Sequence, residues 1–217
     1  MPRRWLSWSG LSALSLASAW LLAALPALAA PATSSLDQIS SGTIGTGTLG
    51  TVTLTQNGTD EVDVVVTLAA DTGFVDTGGP HNAFAFNLNL QTAYSILVSS
   101  PTGGIMALGA SNSTNTPHGT FVNVIGCTGC GSGGSNPYYG PLDLQITDSS
   151  GISVANLVAN GDGYYFSSDV IGPAGGTGHI ASNSITGDPS PVPERASTAL
   201  LGSGLMGLII SRRRRRI

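Results

Sequence analysis

Lysine is missing from all 217 residues, and arginine is confined to the two ends of the chain: Arg3, Arg4, Arg195, Arg212, Arg213, Arg214, Arg215 and Arg216. From Ala30 to Pro193 eleven acids face no lysine or arginine, a formal charge of −11. A segment without cations cannot neutralise phosphates, which excludes nucleic acid as a partner. Lys/Arg salt bridges are excluded with it, so the fold must rest on apolar burial and backbone pairing. The two cysteines are too few for a disulfide framework or a four-cysteine zinc site. No Gly-x-Ser-x-Gly elbow, EF-hand loop, nonapeptide calcium repeat or internal repeat of 20–50 residues is present. Nothing singles out a catalytic pair of carboxylates, and the expectation is a protein that is not an enzyme. Aromatic side chains are sparse, with Tyr138-Tyr139 and Tyr164-Tyr165-Phe166 as the only clusters on which a sugar ring could stack.

What is present begins with the ends. Arg3 and Arg4 precede an apolar core, Leu11 to Leu25, and Ala27-Leu28-Ala29 is a small-x-small cleavage site. Residues 1–29 therefore read as a signal peptide, with Ala30 as the first mature residue. The three tryptophans, Trp5, Trp8 and Trp20, all lie within it. At the other end, Val192-Pro193-Glu194-Arg195 is followed by the uncharged run from Ala196 to Ser211 and then by the five consecutive arginines. A helix over residues 196–211 would be about 24 Å long, slightly short of a full bilayer span. The arginines would hold its end on the cytoplasmic side by attraction to anionic lipid.

This tail resembles the PEP-CTERM sorting signal of exported bacterial proteins, which joins a Val-Pro-Glu-Pro-type motif, an apolar helix and a basic end. Arg195 stands where the family usually has proline. The resemblance covers residues 192–217. It implies an exosortase-type membrane enzyme as partner, with Val192, Pro193, Glu194 and Arg195 as the processing site and Arg212 to Arg216 as the membrane-retention tail. It further implies export to the cell envelope, surface or medium through a transient inner-membrane anchor, and association with exopolysaccharide or biofilm.

The segment between the ends reads as all-β. Thr51 to Thr55 and Phe84 to Leu90 alternate apolar and polar residues. Glu61 to Leu68, Tyr94 to Val98, Gly119 to Ile125, Leu142 to Thr147, Tyr164 to Val170 and Thr177 to Ser182 read as further strands, separated by clusters of Gly, Asn, Asp and Pro. Ile152 to Ala159 reads as one short helix. The expected organisation is a flexible leader over 30–50, one β-sandwich over 51–182 with jelly-roll or Greek-key topology, and a linker over 183–191.

Three residue sets suggest chemistry. In an exported chain, Cys127 and Cys130 should form a disulfide that tightens a glycine-rich loop. Calcium would draw on oxygen ligands, for which Glu61 and Asp63 on one strand face, Asp162 in an oxygen-rich turn, and Asp169 are the candidates. No cofactor is otherwise expected. His81, His118 and His179 lie in loops beside Pro or Gly, and a three-histidine metal site would need all three loops to converge, which the spacing gives no reason to expect. The functional expectation is a non-enzymatic surface or matrix protein, with a secreted calcium- or glycan-binding module as the alternative.

Overall fold

The computed structural model describes residues 30–187, apart from 41, 42, 80, 102 and 132. The signal peptide, the 192–195 motif, the apolar run and the arginine tail lie outside the described residues. Among the described residues no helix is long and apolar enough to cross a membrane.

The described chain is all-β. Its strands are β1 (Ala32–Ser35), β2 (Gln38–Ile39), β3 (Gly50–Asn57), β4 (Glu61–Leu68), β5 (Gly73–Phe74), β6 (Phe84–Leu88), β7 (Ser95–Ser100) and β8 (Met106–Leu108). They continue as β9 (Ser113–Thr114), β10 (Thr120–Phe121), β11 (Asn123–Cys127), β12 (Leu142–Thr147), β13 (Leu157–Val158), β14 (Phe166–Ile171) and β15 (Thr177–Ser182). All pairings are antiparallel. A five-stranded sheet runs β1-β3-β4-β12-β7, and an eight-stranded sheet runs β2-β15-β14-β6-β11-β8, with β13 paired to β6 and β5 to β14. A third sheet is the short pair β9 and β10.

The five-stranded sheet forms because its strands alternate strictly. Val52 and Leu54 on β3, Val62, Val64 and Val66 on β4, and Leu142, Leu144 and Ile146 on β12 are buried, while the residues between them point outward. Gly58, at φ +70°, turns β3 into β4 so that Asn57 faces Glu61. Phe84, Phe86, Phe166, Val170 and Ile180 of the eight-stranded sheet join the same apolar cluster. Burying one such aromatic side chain contributes on the order of 2–3 kcal/mol.

Three expectations from sequence are corrected. The leader over 30–50 is built into the fold. Strand β1 pairs with β3, β2 pairs with β15, and Leu36, Ile44 and Leu49 are buried. Glycines in the β14–β15 turn make room for it: a Cβ on Gly172 would stand 1.7 Å from the Ile44 carbonyl oxygen, and one on Gly176 would stand 2.4 Å from that of Thr43. The linker expected from 183 starts later, because Ile185 packs against the core and Thr186 exchanges two backbone hydrogen bonds with Thr33, each 2.7 Å. The helix expected over Ile152 to Ala159 is a 3-10 turn at Val154–Asn156 leading into β13. Here Gln56 overrides helical periodicity. Its buried side chain donates to the Ile152 carbonyl (2.9 Å) and accepts from the Val154 amide (3.2 Å), tying the segment to β3.

Candidate functional site

Strands β14 and β15 are buried on both faces, unlike the strands of the five-stranded sheet. Phe166 and Val170 point into the apolar core, so alternation sends Ser167 and Asp169 to the opposite side. Asp169 lies directly across the ladder from His179, and the two side chains share that far face. Loops close over it. The Val75 amide donates to the Asp169 carbonyl (3.1 Å), the Asp169 amide donates to the Asn82 carbonyl (3.1 Å), and the His118 ring stands over Ser167, Nδ1 to Oγ 3.4 Å. A small second apolar cluster of Ala85, Phe121 and Val124, with Tyr164 against it, lies beside this face.

All three histidines of the chain meet in one corner, His81 and His118 on loops as expected but His179 on strand β15 rather than on a loop. His81 Nδ1 is 2.9 Å from His179 Nε2, with the rings stacked at 4.5 Å between centroids. His179 Nε2 is 3.9 Å from Asp169 Oδ1. One ligand atom from each of His81, Asp169 and His179 lies within 4.8 Å of the others, and this is the one such group of three or more among the described residues. The His118 ring meets His179 edge-on at 6.3 Å and Tyr164 at 4.8 Å. Glycine places His118: at Gly119, φ +90°, a Cβ would stand 2.0 Å from an Asp162 carboxylate oxygen. The Asn160 amide then holds the His118 carbonyl at 2.7 Å.

The electrostatics of this corner follow from burial without cations. Asp169 is fully buried; its Oδ2 accepts from the Thr77 amide (2.9 Å) and hydroxyl (2.6 Å), while its Oδ1 has no hydrogen-bond partner. Burial raises the Asp169 pKa above the usual carboxylate value, against the opposing pull of the Thr77 bonds. His179 is lowered to about 3 by burial and by the neighbouring His81 and His118, and His118 is lowered to about 4 by burial. Both imidazoles are neutral near pH 7, the state in which imidazole nitrogen is a metal ligand or a hydrogen-bond acceptor.

The acids weighed for calcium do not come together. Glu61 and Asp63 lie on the outer face of β4, where the Asn57 side-chain amide donates to both. Asp162 sits in the exposed turn after Asn160, whose side chain accepts from the Asp162 and Tyr164 amides, both 3.0 Å. Only Asp169 belongs to a cluster, and its neighbours are histidines. The convergence of the two histidine loops on His179 of β15, for which the spacing gave no reason, is the main departure from expectation. A signal for it did exist: both strands of the β14–β15 hairpin and the glycine turn between them are legible, and that register sets 169 opposite 179. Cys127 and Cys130 form the expected disulfide. Tyr138 packs on Phe74 while Tyr139 is exposed, so this pair offers a sugar one open ring.

Comparison with protein-family models, with curated proteins and with solved structures finds no significant match.

Proposed function

We propose that the chain is an exported, non-enzymatic protein of the cell surface or extracellular matrix, handled by an exosortase-type sorting enzyme and associated with exopolysaccharide or biofilm. The observation that carries this reading is the order of the C-terminus: Val192-Pro193-Glu194-Arg195, an apolar run, then five arginines. The architecture that goes with it is a single β-sandwich of jelly-roll or Greek-key type between a signal peptide and a membrane-sorting helix. Two large sheets sharing one apolar cluster, with sequence-distant neighbours such as β4 beside β12, support that arrangement.

Two features of the fold suit this route. Ala32, three residues beyond the expected signal cleavage, is already buried, and Thr33 pairs with Thr186. Both processed ends therefore leave the domain side by side, and cutting at 29 and near 192–195 spares every described strand. The second feature is the outer face of the five-stranded sheet. Its cross-strand rows are mostly hydroxyl, amide and carboxylate groups, interrupted by Val65 and by the exposed Leu97: Thr33, Thr53, Val65 and Asp143 in one row, Thr55, Asp63, Gln145 and Leu97 in the next, then Asn57, Glu61, Thr147 and Ser95. A flat surface of this kind, with no lysine or arginine, hydrogen-bonds hydrated neutral or cationic polymer and repels polyanions.

Intact-mass spectrometry of the protein recovered from its host's surface and medium tests the proposal. The expected mass begins at Ala30 and ends near residues 192–196. A mature protein that retains Arg212 to Arg216 would overturn the processing step and make the tail a permanent anchor.

A further inference from the structure

The corner formed by His81, Asp169 and His179 is unusual in a domain otherwise built by simple alternation. A fully buried carboxylate oxygen, Asp169 Oδ1, has no hydrogen-bond donor among the described residues. Leaving such a group unmet is costly, and the described residues contain no lysine or arginine to meet it. The two imidazole nitrogens beside it are 2.9 Å apart, at hydrogen-bond distance from each other, so each ring turns a nitrogen to the same point. The structure assigns His81, Asp169 and His179 as the ligands of a borderline divalent transition-metal ion of the zinc class.

The geometry fits such an ion. Two nitrogens 2.9 Å apart subtend roughly a right angle at an ion ~2.0–2.1 Å from each, the usual Zn–N distance. The carboxylate oxygen, 3.9 Å from His179 Nε2, is about half an ångström beyond the ~3.4 Å between two ligands of a tetrahedral shell, a gap that binding would close. The widest separation is at most 4.8 Å, and closing it falls to His81, the partly exposed member of the three. Two imidazoles and one carboxylate select zinc and its neighbours over calcium and magnesium, which take oxygen ligands.

The support around the ligands is also that of a metal centre. The other carboxylate oxygen is held by the Thr77 amide and hydroxyl, which fixes the orientation of Oδ1. His179 is clamped through its backbone, donating to the Ser40 hydroxyl at 2.9 Å and accepting from the Ser40 amide at 2.9 Å. His81 is half-buried and supplies the path by which an ion reaches the two buried ligands. His118 stands next to the cluster with its Nδ1 toward Ser167 and acts as a wall of the site. The assignment is independent of the sorting route proposed above.

The test is an isothermal titration of Zn²⁺ into the purified full chain, stripped with chelator, at neutral pH with calcium in the buffer to occupy the exposed acids. The expected result is ~1 ion per chain with Kd below roughly 1 µM. His81→Gln, His179→Gln and Asp169→Asn should each weaken binding on the order of 100-fold, at or beyond the loss typical of supporting residues. Thr77→Val should cost about 10-fold as a positioning change, and His118→Gln less than that. His81→Gln alters a half-buried side chain and keeps the test valid if a buried variant does not fold, which circular dichroism reports. Absence of saturable Zn²⁺ binding up to about 1 mM would overturn the assignment. Equal affinity in wild type and in a folded His81→Gln variant would overturn it as well, by placing the ion elsewhere.

Discussion

The five-stranded sheet and the β14–β15 hairpin use the same antiparallel pairing but treat polar residues in opposite ways. In the sheet every second residue faces out, so Thr51, Thr53, Thr55, Asp63 and Gln145 stay partly hydrated. In the hairpin the far face is roofed by loops, and Ser167, Asp169 and His179 are buried on it, while Ser168 and Ser182 are buried on the core face. The difference separates polar residues that make a surface from polar residues that must each find a partner inside. Ser168 and Ser182 find one, bonding the Ala83 carbonyl and the Ser34 hydroxyl, whereas Asp169 Oδ1 does not. An interior polar group left without a partner is where chemistry is to be sought.

The strongest way to break the contrast is to remove what both regions share. Phe84 is fully buried and stacks on Phe166 with centroids 5.8 Å apart, so Phe84→Ala should cost about 3–5 kcal/mol in urea unfolding. Leu97→Ala on the exposed edge strand β7 should change stability within about 0.5 kcal/mol. Next in size, Gly172→Ala should push the 43–44 segment off the hairpin turn. The expected loss is about 1–3 kcal/mol, with faster amide exchange over 43–50 than over β3 and β4.

Acid sharpens the same contrast. The folded chain holds His118 near 4 and His179 near 3, against an ordinary value of 6.5. Below that ordinary value the unfolded chain takes up protons that the folded chain refuses. The histidine contribution is therefore complete above pH ~6.5 and is lost as pH falls toward ~3–4. Asp169, raised by burial, acts in the other direction, its contribution falling as pH rises through its folded-state value. With chelator present, the Tm of the full chain should drop between pH ~6.5 and ~4, and His118→Gln should flatten that drop. A wild-type Tm constant over that range would contradict the buried neutral histidines. The smallest effect is expected on the outer face: Thr53→Ala should move stability by no more than about 0.5 kcal/mol. Retention of the folded variant on exopolysaccharide beads should nevertheless fall if that face makes the contact.

The alternating strands were the legible part. Thr51 to Thr55, Glu61 to Leu68, Leu142 to Thr147 and Thr177 to Ser182 all fall within or on observed strands, because alternation is a local property read along a few residues. The paired cysteines were legible for the same reason, standing three residues apart. The leader was misread because Ala32, Leu36, Ile44 and Leu49 are spaced too irregularly to show a period. What orders them is the space left by Gly172 and Gly176, more than a hundred residues away.

By itself the sequence determined the all-β character, the absence of lysine and arginine between Ala30 and Pro193 and the three-part order of the tail, since each depends on composition or on neighbours in the chain. Only the tertiary structure decided that His81, Asp169 and His179 share one buried corner. Two of these residues are paired by the hairpin, but His81 is joined to them at a separation of 98 residues. That contact requires β6 to pair with β14 and the loops before β6 to fold back over it, a placement that no periodicity encodes.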